Sequence, residues 1–138
     1  MEDAQRLIEK GYAARNEGNL PLALSLYKEA ADAFRRIGEP LRLAHTIRHV
    51  ADIQRRMNLL ELAQANYTEA LAIYQPESDA NPLDVANTLR GFALLSEATG
   101  DIPAARTMWT EARQLYSAVQ VQAGVEEADC RLSMLHKM

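Results

Sequence analysis

Residues 51–70, with the sequence ADIQRRMNLLELAQANYTEA, decide the fold because their spacing of small residues occurs three times along the chain. Each copy has one small residue, a second 12 positions later and a third 7 positions after that. Successive copies lie 40 and then 42 residues apart. The three sets are Gly11, Ala23 and Ala30; Ala51, Ala63 and Ala70; and Ala93, Ala105 and Ala112. A small residue at a fixed place in every unit marks close contact between two helices, so the repeat predicts a solenoid of stacked helical hairpins.

The overall composition is that of one globular domain. The 138 residues are 48% apolar and 25% charged, which provides for a core and leaves no stretch long enough to span a membrane. A net charge of −4 argues against nucleic acid or an anionic membrane as the partner. The one cysteine, Cys130, cannot form an internal disulfide, and the N-terminus lacks a signal-peptide pattern, so we expect a cytoplasmic protein.

The repeats predict an all-α fold with seven helices and no strands, in a single domain covering residues 1–138. Three helical hairpins are expected at about residues 4–38, 41–78 and 82–120, followed by a capping helix at about 124–137. Gly18, Asn58 and Gly100 stand at the hairpin turns, where the chain needs a left-handed residue. Gly124 is expected to break the chain again before the capping helix.

The same residues resemble the pattern of the tetratricopeptide repeat family. That pattern has a large apolar residue and a small one in the first helix, then a small residue, an aromatic and another small residue in the second. The matching residues are Leu7, Gly11, Ala23, Tyr27 and Ala30; Ile47, Ala51, Ala63, Tyr67 and Ala70; and Leu89, Ala93, Ala105, Trp109 and Ala112. The resemblance implies a right-handed α-solenoid in which the small residue of each first helix packs against the second helix and the aromatic is buried.

The repeats are longer than the usual unit of about 34 residues. The proline that normally closes a unit is absent, and Arg35, Gln75 and Ser117 stand in its place. The second helices therefore continue further, as in the extended repeats of kinesin-light-chain-type proteins, to which this chain is similar.

The resemblance also implies a function, because proteins of this family mostly bind peptide segments of other proteins. The peptide lies in a concave groove that is lined by the first helix of each hairpin. Aligning the repeats gives the positions in this chain that would face the groove. The predicted peptide-binding residues are Ile8, Tyr12, Arg15, His45, Arg48, Asp52, Arg55, Asn87, Arg90 and Leu94, with Gln5 and Glu97 beside them.

The charges at these positions oppose the charge of the whole chain. Four arginines against two carboxylates give the predicted groove a charge of +2, although the chain carries −4. We therefore expect an acidic peptide or a C-terminal carboxylate as the ligand, because a guanidinium group binds a carboxylate through two parallel hydrogen bonds. Arg48 and Arg90 are the expected anchors, and Ile8, Tyr12 and Leu94 would supply apolar contact.

Two other interpretations stay open at this point. His45, His49 and Asp52 share one helical face and have residue types that bind zinc, but Arg48 and Arg55 lie within reach of Asp52 and oppose a dication. The second alternative is a self-associating structural oligomer, possible as a homodimer, that has no peptide ligand. The chain has no glycine-rich phosphate loop and no G-x-S-x-G motif, so we expect neither catalysis nor a cofactor.

Overall fold

The computed structural model describes residues 3–138, which form two compact units that meet in sequence between Glu77 and Ser78. All regular structure in this part of the chain is helical, which confirms the prediction of seven helices without strands. The helices of the first unit are α1 (Ala4–Asn16), α2 (Leu20–Ile37), α3 (Pro40–Arg56) and α4 (Leu60–Tyr74). Those of the second unit are α5 (Pro82–Ala98), α6 (Ile102–Ala118) and α7 (Gln122–His136). Within each unit every helix packs against the next one along the chain.

The helices begin and end at residues whose chemistry suits those positions. Asn19 and Asp101 cap α2 and α6, and each side chain accepts a hydrogen bond of 3.2 Å from a backbone N–H of the first turn. Gly18, Asn58 and Gly100 have positive φ angles of 79°, 64° and 82°, as predicted for the three hairpin turns. Local sequence therefore places the turns that fold each hairpin.

The prediction for Gly124 is wrong, because this residue lies inside α7 rather than before it. The left-handed turn is made instead by Gln120, with a φ of 60°, and the capping helix begins at Gln122. Gly124 is needed for packing, since a Cβ atom added there would overlap the ring of Tyr116. The absence of a side chain thus lets α6 and α7 approach each other closely.

The contact between a small residue and an aromatic ring is present as predicted. A Cβ atom added to Gly11 would lie 3.0 Å from the ring of Tyr27, so the ring packs directly on the α1 backbone. Tyr27, Tyr67 and Trp109 are all 1% exposed or less, and Ala51 and Ala93 are fully buried. The apolar area buried by each aromatic contributes about 2–3 kcal/mol to folding.

The core of each unit is built around these aromatics. In the first unit, one cluster surrounds Phe34 and Leu43 and a second surrounds Tyr27 and Ile53. In the second unit, Trp109 packs with Ala93, Ala105, Ala128 and Leu135. The first helices of the hairpins, which are α1, α3 and α5, are therefore held in position by residues on the helices that follow them.

Replacing Ala63 with leucine should destabilise the protein by about 1–3 kcal/mol, because Ala63 is fully buried and a larger side chain overpacks the contact. Gln64→Leu is the matched control, since it adds a leucine at the adjacent, exposed position of α4. The measurement is urea unfolding followed by circular dichroism. Equal unfolding midpoints for the two variants would contradict the assigned repeat register.

Candidate functional site

One polar contact recurs inside the hairpins and places charged groups on the first helices. The residue four positions after the small residue bonds the polar atom of the aromatic 12 positions later. Arg15 hydrogen-bonds the hydroxyl of Tyr27, and the Nε of Arg55 donates to the hydroxyl of Tyr67 at 3.2 Å. The buried aromatics therefore fix two of the predicted peptide-binding arginines.

The third hairpin makes the same contact, but here the aromatic residue is the donor and the residue on the first helix is the acceptor. Trp109 replaces the tyrosine, and its indole N–H can only donate a hydrogen bond. Glu97 stands where the other hairpins have arginine, and its Oε2 accepts from the indole at 2.6 Å. The change of aromatic thus explains why this position carries a negative charge in the third repeat.

The imidazole ring of His49 lies at the centre of the site in the first unit. Its Nδ1 is 3.1 Å from an Nη of Arg15, its ring is stacked on Tyr27 with centroids 5.1 Å apart, and His45 meets it edge-on at 4.8 Å. Because a guanidinium group can only donate, Nδ1 accepts and the ring proton belongs on Nε2. These contacts connect α1, α2 and α3 around one neutral ring.

Burial, together with the positive charges around it, strongly disfavours protonation of His49. Burial lowers the pKa of His49 to about 2, and the positive charges of Arg48, His45 and Arg15 act in the same direction. Arg15 and Arg48 also oppose the rise in the pKa of the Tyr27 hydroxyl that burial causes. The two arginines therefore act on the same small region of the first unit.

Asp52 is buried beneath this region rather than presented to solvent. Its carboxylate accepts a hydrogen bond of 2.9 Å from Arg48 and another from the Tyr67 hydroxyl, and an Nη of Arg55 lies 3.9 Å away. Burial and the charge of Asp52 together raise the pKa of Tyr67. Asp52 holds Arg48 and Arg55 in place, and we call Arg15, Arg48, Arg55 and Asp52 the arginine cluster.

The other predicted residues of the first unit differ in their exposure. Tyr12 is 59% exposed, and its hydroxyl lies near enough to Tyr27 to affect the titration of that group. Ile8 is partly buried and packs on the core. An exposed aromatic ring therefore stands next to the arginine cluster.

In the second unit, the predicted residues Asn87 and Arg90 both contact other helices. Asn87 Oδ1 accepts a hydrogen bond of 2.6 Å from the hydroxyl of Tyr116 on α6. Arg90 binds Glu127 of α7 through two hydrogen bonds, of which the one from Nη2 measures 3.0 Å. Leu94 is partly buried against the core of this unit.

Two residues of the site, His49 and Arg131, were not among the predicted peptide-binding residues. Arg131 forms an ion pair with Glu97, and like Arg15 and His49 these two residues are 34 positions apart. Helix α7 thus contacts α5 as α3 contacts α1. It therefore takes the position that the first helix of a fourth hairpin would have. A search for pairs of polar side chains 34 residues apart would have found both contacts.

The part of the chain that the structure describes has neither a metal-binding cluster nor a membrane-spanning helix. Among residues 3–138, no three His, Cys, Asp or Glu side chains are grouped so that they could hold a metal ion. In His49 the Nδ1 atom already accepts from Arg15. No helix within this range has the length and apolar character needed to cross a bilayer.

The hairpins and their recurring contact define the chain as a helical-repeat scaffold. Residues 3–76 match the tetratricopeptide repeat family. Because this match covers more than half of the sequence, the chain belongs to that family.

A solved structure has a similar fold. The crystal structure of BtubC (BKLC) from P. vanneervenii is similar to this chain, with 16% sequence identity and a TM-score of 0.73. The match covers 97% of this chain and 63% of BtubC, so the chain spans less than two thirds of that protein. This likeness shows the fold, a helical solenoid. No curated protein sequence matches the chain.

Replacing Asp52 with asparagine should destabilise the protein by about 3 kcal/mol or more, because it leaves buried positive charge without its counterion. The control is Asp129→Asn, which breaks the solvent-exposed pair with Arg113 and should change the stability far less, because water screens that pair. Chemical unfolding of both variants at one pH measures the difference. Equal decreases in the free energy of unfolding would show that the buried Asp52 network stabilises the protein no more than an exposed ion pair does.

His49 should make folding stability depend on pH. Its folded-state pKa of about 2 lies below the unfolded value of about 6.5, so its contribution is complete above pH 6.5 and is lost as the pH falls. Between pH 7 and 5 this loss should be about 2 kcal/mol. It should be absent in His49→Gln, whose amide oxygen can still accept from Arg15, and kept in His136→Gln. If the stability of wild type and of His49→Gln depended on pH in the same way, the conclusion that the His49 ring is neutral would be wrong.

Proposed function

We propose that this chain is a non-catalytic protein-interaction scaffold that binds an acidic or carboxylate-bearing peptide segment in a concave, basic groove formed by its first helices. It needs neither a cofactor nor a metal ion for this task. The arginine cluster is the observation that carries the proposal. Membership of the tetratricopeptide repeat family supports the general role, since such repeats serve as protein-binding scaffolds.

The positive charge of the predicted surface belongs to the first unit. The arginine cluster has three positive charges and one negative charge, which leaves a surplus of two. In the second unit, Arg90 is paired with Glu127, and Glu97 is paired with Arg131, so these charges cancel. The first unit is therefore the better place for the acidic part of a ligand.

The role of each arginine follows from its contacts. Arg48 gives its hydrogen bond to the buried Asp52, and its side chain is only 13% exposed. It therefore contributes mainly through its electrostatic field. Arg15 is partly exposed and donates to two neutral acceptors, His49 Nδ1 and the Tyr27 hydroxyl, so it is the better direct anchor for a carboxylate.

The apolar part of the ligand would contact Tyr12, with Ile8 beside it, and Leu94 would do the same in the second unit. Two charge-assisted hydrogen bonds and one buried apolar side chain supply roughly 5–9 kcal/mol. Association costs on the order of 4–15 kcal/mol. A short peptide should therefore bind at micromolar affinity or more weakly.

Self-association, in which the solenoids of two copies stack end to end, is less well supported. In α3, Ala44, Ile47 and Ala51 are all buried, and Ile47 lies in one core cluster with Ala70 of α4. Because His49 contacts Arg15 as Arg131 contacts Glu97, His49 of α3 corresponds to Arg131 of α7. In this alignment the three buried residues of α3 correspond to exposed residues of α7, which are Glu126, Asp129 and Ser133. Stacking another copy there would bury the Glu126 carboxylate together with the Asp129–Arg113 ion pair, and removing these charges from water is costly. We therefore propose that α7 ends the packing with a polar face and that the scaffold binds its ligand as a monomer.

The test uses a fluorescein-labelled pool of nine-residue peptides with Glu or Asp at four positions and Leu, Phe or Met at two. A second pool, in which Gln and Asn replace the acidic residues, is the charge control. We expect the acidic pool alone to bind in fluorescence anisotropy. Arg15→Gln should weaken this binding at least about tenfold, because one charge-assisted hydrogen bond contributes about 1.5–3 kcal/mol.

Arg6→Gln is the matched control variant, because it removes the same charge from an exposed position of the same helix. It should leave the affinity within about twofold of wild type. The proposal fails if the amide pool binds as well as the acidic pool, or if both variants weaken binding equally. Circular dichroism checks that Arg15→Gln remains folded.

A further inference from the structure

A surface cleft of about 400 Å³ lies in the second unit, where α5, α6 and α7 meet. It is lined by Asn87, Arg90, Tyr116, Ala123, Gly124 and Glu127. Two of these residues, Asn87 and Arg90, belong to the predicted peptide-binding set. The cleft is thus the part of the second unit in which a ligand group would reach Arg90.

Arg90 is already bound there in the way that a ligand carboxylate would bind it. The Nε and Nη2 atoms of Arg90 donate to the two carboxylate oxygens of Glu127. This parallel, two-bond geometry is the one that guanidinium groups adopt with peptide carboxylates. Glu127 therefore occupies the position that a ligand carboxylate would take at Arg90, which the sequence predicts as an anchor.

The pair is open to exchange because it is not buried. The side chains of Arg90 and Glu127 are 41% and 35% exposed, and ion pairs at this exposure are weak in water. A carboxylate from solution can replace Glu127 without moving a charge into the core.

Helix α7 has other contacts that keep it packed on α5 and α6 when the Arg90–Glu127 pair is broken. Val125, Ala128 and Leu135 are buried, and Ala128 and Leu135 belong to the core around Trp109. Arg131 and Asp129 make separate ion pairs with α5 and α6. Releasing Glu127 therefore leaves the helix docked.

The walls of the cleft suit a peptide group beside Arg90. Ala123 is small and exposed and leaves room along α7, whereas the Tyr116 ring fills the space over Gly124 and forms the neighbouring wall. The Tyr116 hydroxyl donates to Asn87 Oδ1, which fixes the amide and makes its nitrogen the group that can donate to a ligand carbonyl.

We propose that Glu127 is an intramolecular competitor for the carboxylate of a peptide ligand at Arg90, so that the second unit engages its ligand by carboxylate exchange. This inference rests on the proposed function and adds a regulatory contact to it. The cap helix thereby lowers affinity and favours ligands whose carboxylate can make both hydrogen bonds to Arg90.

The test compares Glu127→Gln with Asp129→Asn. Both variants remove one negative charge from α7 and break one exposed ion pair, but Asp129 pairs with Arg113 on α6 and does not line the cleft. Glu127→Gln should bind the acidic peptide pool about threefold to fivefold more tightly than wild type, the range that an exposed ion pair allows. Asp129→Asn should stay within about twofold of wild type.

A second readout needs no peptide. The rate at which p-hydroxyphenylglyoxal modifies Arg90, followed by peptide mapping and mass spectrometry, should rise in Glu127→Gln and stay at the wild-type value in Asp129→Asn. Thermal melting of both variants establishes that each remains folded.

The outcomes separate this inference from the proposed function. Equal gains in affinity for the two variants would mean that only long-range charge acts, and a loss of affinity in Glu127→Gln would mean that Glu127 helps to hold the ligand. Either result overturns the competitor role. If no form binds the acidic pool, the proposed function fails, and the labelling rate alone decides whether Glu127 closes the Arg90 site.

Discussion

The packing of one aromatic ring on one small residue is the constraint on which the rest of this structure depends. The ring of Tyr27 can lie on Gly11 only if α1 and α2 approach closely and in a single register. That register brings the next helical turn of the first helix to the polar edge of the ring. The charged residue at that turn is consequently bonded in every hairpin, as Arg15 is to Tyr27 and Glu97 is to Trp109. Packing and surface charge therefore have one origin.

The fold was largely predictable because its determinants repeat. Every copy places its small residues and its aromatic at the same spacing, and the turns at Gly18 and Asn58 have the expected left-handed conformation. Gly124 was misread because a glycine serves either a left-handed turn or a close approach between helices. Sequence alone does not distinguish these uses, and here the ring of Tyr116 requires the second.

The candidate site was predictable in its composition but not in its pairing. The residue types on the first helices, and the neutralisation of Asp52 by Arg48 and Arg55, follow from helical spacing. The partners from other helices do not. His49 reaches Arg15, and Glu127 reaches Arg90, only after two helices have packed side by side. Exposure likewise depends on packing, which is why a carboxylate expected in the groove is buried.

Trp109 gives the second unit an optical property that the first unit lacks. It is the single tryptophan of the chain, it is fully buried, and its indole N–H is bonded to Glu97. Glu97 is bonded in turn to Arg131, so the environment of the indole includes the docking of α7. Intrinsic fluorescence excited at the indole band therefore reports the second unit alone, whereas the tyrosines report both. Comparing the two signals during unfolding reveals whether the units melt together or one after the other.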